Sequence, residues 1–167
     1  MKGVKIIAGI ILIAVITIQF FPSELNQNET VPKSDFMLVN KVPTTIQNKL
    51  QVSCYDCHSN NTDYPWYNKA QPFAWFLEDH IKEGKAELNF NEWSEYSDRR
   101  KKSKLRSIIS QIENDQMPLD SYKIIHRDAK LSKEEKIQII TYIEQVKSCL
   151  SYKSNAADTA YCLSTYG

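Results

Sequence analysis

Cys54, Tyr55, Asp56, Cys57 and His58 follow one another, and this row constrains the chain more than any other feature of its sequence. Cys-x-x-Cys-His is the spacing at which haem is joined covalently to protein. Two thiols three positions apart sit about one helical turn from each other. Each can add to a vinyl group of one porphyrin. The histidine that follows then comes under the ring and offers its imidazole to the iron. Covalent attachment suits a small domain, whose core is too limited to hold a large cofactor by packing alone. The expected fold is therefore one that wraps a single haem c.

Two other chemistries use a Cys-x-x-Cys pair, dithiol exchange and zinc binding. A thioredoxin-like pair follows a buried strand, and the upstream stretch Pro43 to Val52 has no such run. A structural zinc site needs four ligands. Cys57 and His58 are adjacent, which is awkward on one ion, and Cys149 and Cys162 would have to close on them from far along the chain.

The N-terminus agrees with haem attachment outside the cytoplasm. Lys2 and Lys5 precede an apolar run from Ile6 to Ile18, with Phe20 and Phe21 after Gln19. A basic start and an apolar stretch are the parts of an export signal. Small residues for cleavage are missing before Phe21-Pro22-Ser23, and no cysteine follows for a lipid anchor. Residues 1–21 therefore read as an uncleaved signal-anchor, with a cleaved signal peptide as the alternative. Ile6 to Phe21 is a little short of the ~20 residues that span a bilayer, and Lys5 can reach the interface to lengthen it. The expected location is the bacterial inner membrane facing the periplasm, or the periplasm itself if the segment is removed.

Residues 22–41 are polar and lack apolar periodicity, and read as a tether. Residues 42–150 are enough for one domain and one core, and 151–167 form a tail. The net charge of +1 gives no footprint for nucleic acid. Arg99-Arg100-Lys101-Lys102, with Lys104 and Arg106, is the one basic run. It reads as a solvated helix start, or as a docking patch for an acidic redox partner.

The fold is expected to be all-α. Glycines number four, and β-branched runs are few. Pro43 opens a short helix with Ile46 and Leu50 on one face. A second helix begins near Pro72, carries Phe73, Phe76, Leu77, His80 and Ile81 on its apolar face, and stops at Gly84. A third carries Leu105, Ile108, Ile109 and Ile112. The last opens on the capping box Ser132-Lys133-Glu134-Glu135, with Ile137, Ile140, Thr141 or Ile143, and Val146 as its stripe.

A helix into Cys-x-x-Cys-His, a middle region, a ligand loop and a final helix make the order of a small cytochrome c. Several words beyond the motif carry a closer resemblance. They are Ser59-Asn60 after His58, Tyr64-Pro65-Trp66-Tyr67, Glu83-Gly84-Lys85, and Leu88-Asn89-Phe90-Asn91-Glu92-Trp93. Met117-Pro118-Leu119-Asp120-Ser121-Tyr122 and His126-Arg127-Asp128-Ala129-Lys130-Leu131-Ser132 continue the series. Together, from about Val42 to Val146, they resemble the bacterial haem-binding domain family of c-type haem proteins. The resemblance implies covalent haem and export, and no particular reaction.

The sixth ligand decides what such an iron can do. A sulfur opposite His58 raises the potential and suits electron transfer. Met1 starts the N-terminal segment and Met37 lies in the tether, so Met117 is the expected thioether. His80, on an apolar helix face, is the competitor; His126 is a third candidate that suits a local hydrogen bond better. Tyr64, Trp66, Tyr67, Trp75 and Trp93 are expected to line the pocket. Arg99, Arg100 or Arg127 could meet the propionates. Cys149 and Cys162 are expected to pair, closing a short loop worth about 3 kcal/mol on the chain-entropy model.

These readings describe a membrane-tethered electron carrier, more plausible as a carrier than as an enzyme, whose partners are redox proteins. A haem-based sensor or ligand-binding module, or a haem peroxidase with His80 as distal acid–base group, would instead need an open iron position. A zinc-stabilised interaction domain would hold no haem.

Overall fold

A computed structural model of the protein describes residues 2–28 and 30–152. All regular structure among them is helical. The elements are α1 (Lys2–Ile18), α2 (Phe36–Asn40), α3 (Thr44–Leu50), α4 (Asp56–His58), α5 (Phe73–Glu87), α6 (Asp98–Glu113), α7 (Asp120–Ile125) and α8 (Lys133–Tyr152). Short 3₁₀ turns cover Trp66–Lys69, Phe90–Glu95 and Arg127–Ala129.

Helix α1 follows from the apolar run and buries none of its side chains. Its 17 residues give a length of about 26 Å, against an apolar bilayer core of about 30 Å. Among the described residues no helix is long and apolar enough to cross a membrane. The expected transmembrane helix is therefore not supported. The end of the 1–21 segment is bonded to the rest of the chain. The Gln19 amide donates to the Gln71 carbonyl (3.0 Å) and accepts from its N–H (2.9 Å), and the Trp75 indole donates to the Phe21 carbonyl.

Packing of the domain begins before residue 42. Asp35 caps α2, accepting from the N–H groups of Met37 and Leu38. This sets Phe36 into the core at 0 % exposure, edge-on to Trp93 and close to Phe90. No periodicity announced this, because α2 has only five residues. The main core joins α6 and α8 over Leu105, Ile109, Ile112, Ile139, Ile143 and Val146. The α6 stripe is the expected one. The stripe of α8 is turned from the expected one: Ile139, Tyr142, Ile143 and Val146 are buried, while Ile137 is 64 % exposed. The helix is apolar on more than one side, and packing against α6 and α3 chose the phase. The expected capping box is formed, with Ser132 N donating to Glu135 and Glu135 N donating to Ser132 Oγ.

The two α8 positions give a stability prediction. Ile143→Ala should cost roughly 2–5 kcal/mol, and Ile137→Ala roughly 0.5 kcal/mol or less. Urea unfolding of both variants measures this. Equal losses would contradict the observed phase of α8.

Helix α5 continues past Gly84 to Glu87, so Gly84 is no stop. Its buried residues are Ala74, Leu77, Glu78 and Ile81, whereas Phe73 and Phe76 lie exposed beside the site. The expected Cys149–Cys162 pair falls partly outside the described residues, which end before Cys162.

Candidate functional site

Helix α3 runs without a break into a π-helical turn, Gln51–Tyr55, and then into α4. The wider turn carries Cys54, and α4 carries Cys57 and His58. Two interactions hold this corner from outside. Tyr55 stacks flat on Phe90 (4.9 Å, 4°), and its hydroxyl donates to Asp35 (3.1 Å). Asp35, buried and fully supplied with donors, also accepts from Asn91 Nδ2 (2.8 Å), and Asn91 Oδ1 accepts from Asn60 N (2.7 Å). Tyr55, inside the motif, is thus an anchor and no spacer. A buried carboxylate costs heavily unless it is bonded in this way.

Gly84 brings α5 onto the motif. A Cβ there would lie 2.7 Å from the Cys57 carbonyl oxygen and 3.2 Å from Cys57 Cβ. Only a residue without a side chain lets the two backbones approach so closely. The approach places the Gly84 carbonyl 2.8 Å from His58 Nδ1, with the Leu88 carbonyl 3.0 Å away. Carbonyls only accept. Nδ1 therefore carries the proton, and Nε2 keeps its lone pair. Burial lowers the His58 pKa below its ordinary value, against a smaller opposing effect of the two carbonyls, so the ring is neutral at pH 7. A neutral imidazole whose second nitrogen is held by carbonyls is the state a metal ligand needs.

The thiols of Cys54 and Cys57 are free and half-buried. Burial, with a smaller contribution from the neighbouring acidic groups, pushes Cys54 up to about 12 and Cys57 up to about 11. Both are protonated at neutral pH. Dithiol exchange needs an accessible low-pKa thiolate, and this environment opposes one. Among the described residues no cluster of three or more His, Cys, Asp or Glu is placed to hold a metal ion, so a zinc-built core has no ligand set there.

Cys54, Cys57, His58, His80 and Met117 all line one cavity of about 280 Å³. A cavity of about 290 Å³ adjoins it at Cys57 and His80 and is walled by Trp66, Tyr67, Phe73, Phe76, Tyr122 and Ile125. One of about 320 Å³ adjoins it at Cys54, His58 and Met117, with Phe90, Lys104 and Ile108 among its walls. The result is an apolar cleft with two thiols and an imidazole on one wall. That fits a large flat macrocycle with iron at its centre.

Met117 is placed by the end of α6. Asp115 takes a left-handed conformation (φ 57°), and the N–H groups of Gln116 and Met117 both return to the Gln111 carbonyl. Asp115 also pairs with Lys136 on α8. His80 donates from Nδ1 to the Phe76 carbonyl (2.8 Å), which leaves its Nε2 unbonded on that side of the ring.

Other expected residues lie elsewhere. His126 is outside the Cys54–Cys57 cleft, in a polar hollow with Asp56 and Asp128. It stacks on Tyr122 (4.2 Å) and meets the Tyr67 hydroxyl at 3.2 Å, the local bonding its flanks suggested. Trp93 is buried in the core, Tyr64 lines the His126 hollow, and Trp75 is bound to the Phe21 carbonyl. Trp66 and Tyr67 do line the cleft. Arg99, Arg100 and Arg127 line none of its three parts; Lys104 does. Leu88 and Asn91 were legible only as words in the resemblance, and their roles needed the fold.

A helical domain with a thiol pair, a proton-directed histidine and an apolar cleft defines a class that binds a macrocyclic metal cofactor. Residues 13–145 match the model of the family described as Haem-binding domain, and the chain belongs to that family. No curated protein matches the chain. No solved structure matches it.

The lowered pKa of His58 has a measurable consequence in protein prepared without haem. The unfolded chain takes up a proton near pH 6.5, while folded His58 resists it until a lower pH. The stability contributed by neutral His58 is thus complete above pH 6.5 and is lost as pH falls below it toward the folded-state pKa. Thermal unfolding between pH 7.5 and 5 should show a slope that His58→Gln reduces. An unchanged slope in the variant would contradict the environment described.

Proposed function

We propose that this protein is an exported c-type haem protein that carries electrons through one haem bound covalently by Cys54 and Cys57. His58 and Met117 would supply the two side-chain ligands to its iron. The observation that carries the reading is the His58 ring, fixed by the Gly84 and Leu88 carbonyls in the tautomer that frees Nε2, within a cleft shared by both thiols and Met117. The haem supplies a one-electron couple. The chain's own residues orient the imidazole, wall the cleft with Phe76, Leu77 and Phe90, and bring Met117 to the cavity that His58 lines. The apolar run of α1 that follows Lys2 and Lys5, with no side chain of the helix buried, supports export and association with the membrane. Redox proteins on the outer side of that membrane are the partners this reading calls for.

His80 favours a second reading, in which two histidines hold the iron. It lines the same cavity and has its Nε2 available. Met117→Ala should abolish the thioether-to-iron absorption band and lower the midpoint potential on the order of 0.1 V or more, within the ~0.8 V that axial ligands span. His80→Ala should leave the band intact. A band that survives in Met117→Ala overturns the thioether assignment. Loss of the native spectrum in His80→Ala alone supports the bis-histidine reading.

The broader reading is tested by making the full chain with c-type maturation machinery. A Soret band that stays with the protein in acid acetone is expected. Carbon monoxide bound by the reduced protein would favour an open iron site, as in a sensor or peroxidase.

A further inference from the structure

Asn26 lies in the stretch read from sequence as a tether, yet it is half-buried and bonded on every polar atom. Its side-chain amide donates to the Ser59 carbonyl (2.9 Å) and to Thr62 Oγ1 (2.9 Å). Its Oδ1 accepts from Lys85 Nζ (2.6 Å). Its backbone N–H donates to the Tyr64 hydroxyl (2.6 Å), and its carbonyl accepts from Thr62 N (2.9 Å).

Two of these contacts fall beside the site in a particular way. Ser59 directly follows His58, and Lys85 directly follows Gly84. One amide side chain therefore links the backbone just after His58 to the Lys85 side chain of α5, beside the bond from His58 Nδ1 to the Gly84 carbonyl. Among the described residues between 19 and 34, no other makes such a bridge to both sides. Gln19 and Phe21 bind farther away, at Gln71 and Trp75.

We propose that Asn26 is a positioning residue for His58, acting as a strap from the N-terminal segment that keeps the Nδ1–H bond to Gly84 short. The inference depends on the haem reading for one readout only. That bond sets how basic Nε2 is, since a stronger pull on the Nδ1 proton makes the ring a stronger donor. Loosening the strap should weaken the donor and raise the midpoint potential of a bound haem. In the protein without haem, loosening should expose the Nδ1 proton to solvent.

Exchange of the His58 Nδ1 proton, followed by nitrogen-15 NMR on the full chain without haem, tests this first. In Asn26→Ala it should exchange at least tenfold faster, while the backbone amides of Leu105 and Ile143 keep their protection. Asn26→Asp, which keeps the acceptor for Lys85 and loses the two side-chain donors, should fall between. Unchanged Nδ1 exchange in Asn26→Ala overturns the proposal. So does an equal loss of protection at Leu105 and Ile143, which would assign Asn26 to general stability. In haem-loaded protein the potential of Asn26→Ala should rise, and an unchanged potential overturns the proposal. A wild type that takes up no haem is a failure of the haem reading alone, and the exchange measurement then decides on Asn26.

Discussion

Cys54→Ala combined with Cys57→Ala should reduce the covalently held haem from one per chain to none. On the proposed reading each thiol supplies one thioether, and among the described residues no other free cysteine lines the cleft. The variant's haem, if any remains, should pass into acid acetone, and the protein mass should equal that of the bare chain. Each single variant should retain a haem held by one bond, with the pyridine haemochrome band shifted toward that of a single saturated vinyl. The fold should survive, because the thiols are half-buried at the cleft wall and the main core lies between α6 and α8. Haem that stays bound in acid to the double variant would show that attachment is elsewhere.

Gly84→Val should be nearly as damaging, by a different route. The added carbons meet the Cys57 carbonyl at under 3 Å, a distance no real Cβ contact tolerates, and the obstacle is backbone. Either α5 or the Cys57–His58 turn must move. Both movements lengthen the His58 Nδ1 bond to the Gly84 carbonyl. Overpacking of this kind costs about 1–3 kcal/mol in a core, and here the loss falls on the helix that holds His58. Haem-loaded protein should drop several-fold in yield, and what forms should have a disturbed spectrum. Gly9→Ala on α1 is the control, since a Cβ there meets nothing within 4 Å. Wild-type yield and spectrum in Gly84→Val would refute the close approach.

These two variants differ in how visible their targets are in the sequence. The cysteines announce themselves, since their chemistry depends on local spacing. Gly84 stands amid good helix formers, and read alone it looks like an end to α5. Its purpose is to admit the Cys57 backbone, 27 positions earlier in the chain. No window of helical periodicity contains both residues. Asn26 and Asp35 were hidden for the same reason. Each is a short polar side chain in a stretch without pattern, and each takes its position from partners twenty or more residues away, Tyr55 and Asn91 for Asp35, and Ser59 and Lys85 for Asn26.

The pocket aromatics show the limit from another side. An aromatic residue is apolar enough for a core, a cleft wall or a surface contact. Trp93 went to the core beside Phe36, Trp75 to the Phe21 carbonyl, and Trp66 to the cleft while 81 % exposed. Phe73 and Phe76 were assigned to a buried face and instead wall the cleft. Composition alone does not divide these fates.

By itself the sequence determined what depends on neighbours along the chain. That includes the thiol spacing and following histidine, the helical class, the α6 stripe, the Ser132–Glu135 cap and the membership of a haem-binding family. Tertiary structure alone decided the phase of α8, the tautomer of His58, the meeting of Met117 and His80 on one cavity, and the bonding of Asn26. The reason is physical. Local spacing sets which groups one helical turn presents, whereas a hydrogen bond or a backbone approach between distant segments exists only once the packing of the whole domain has brought them together.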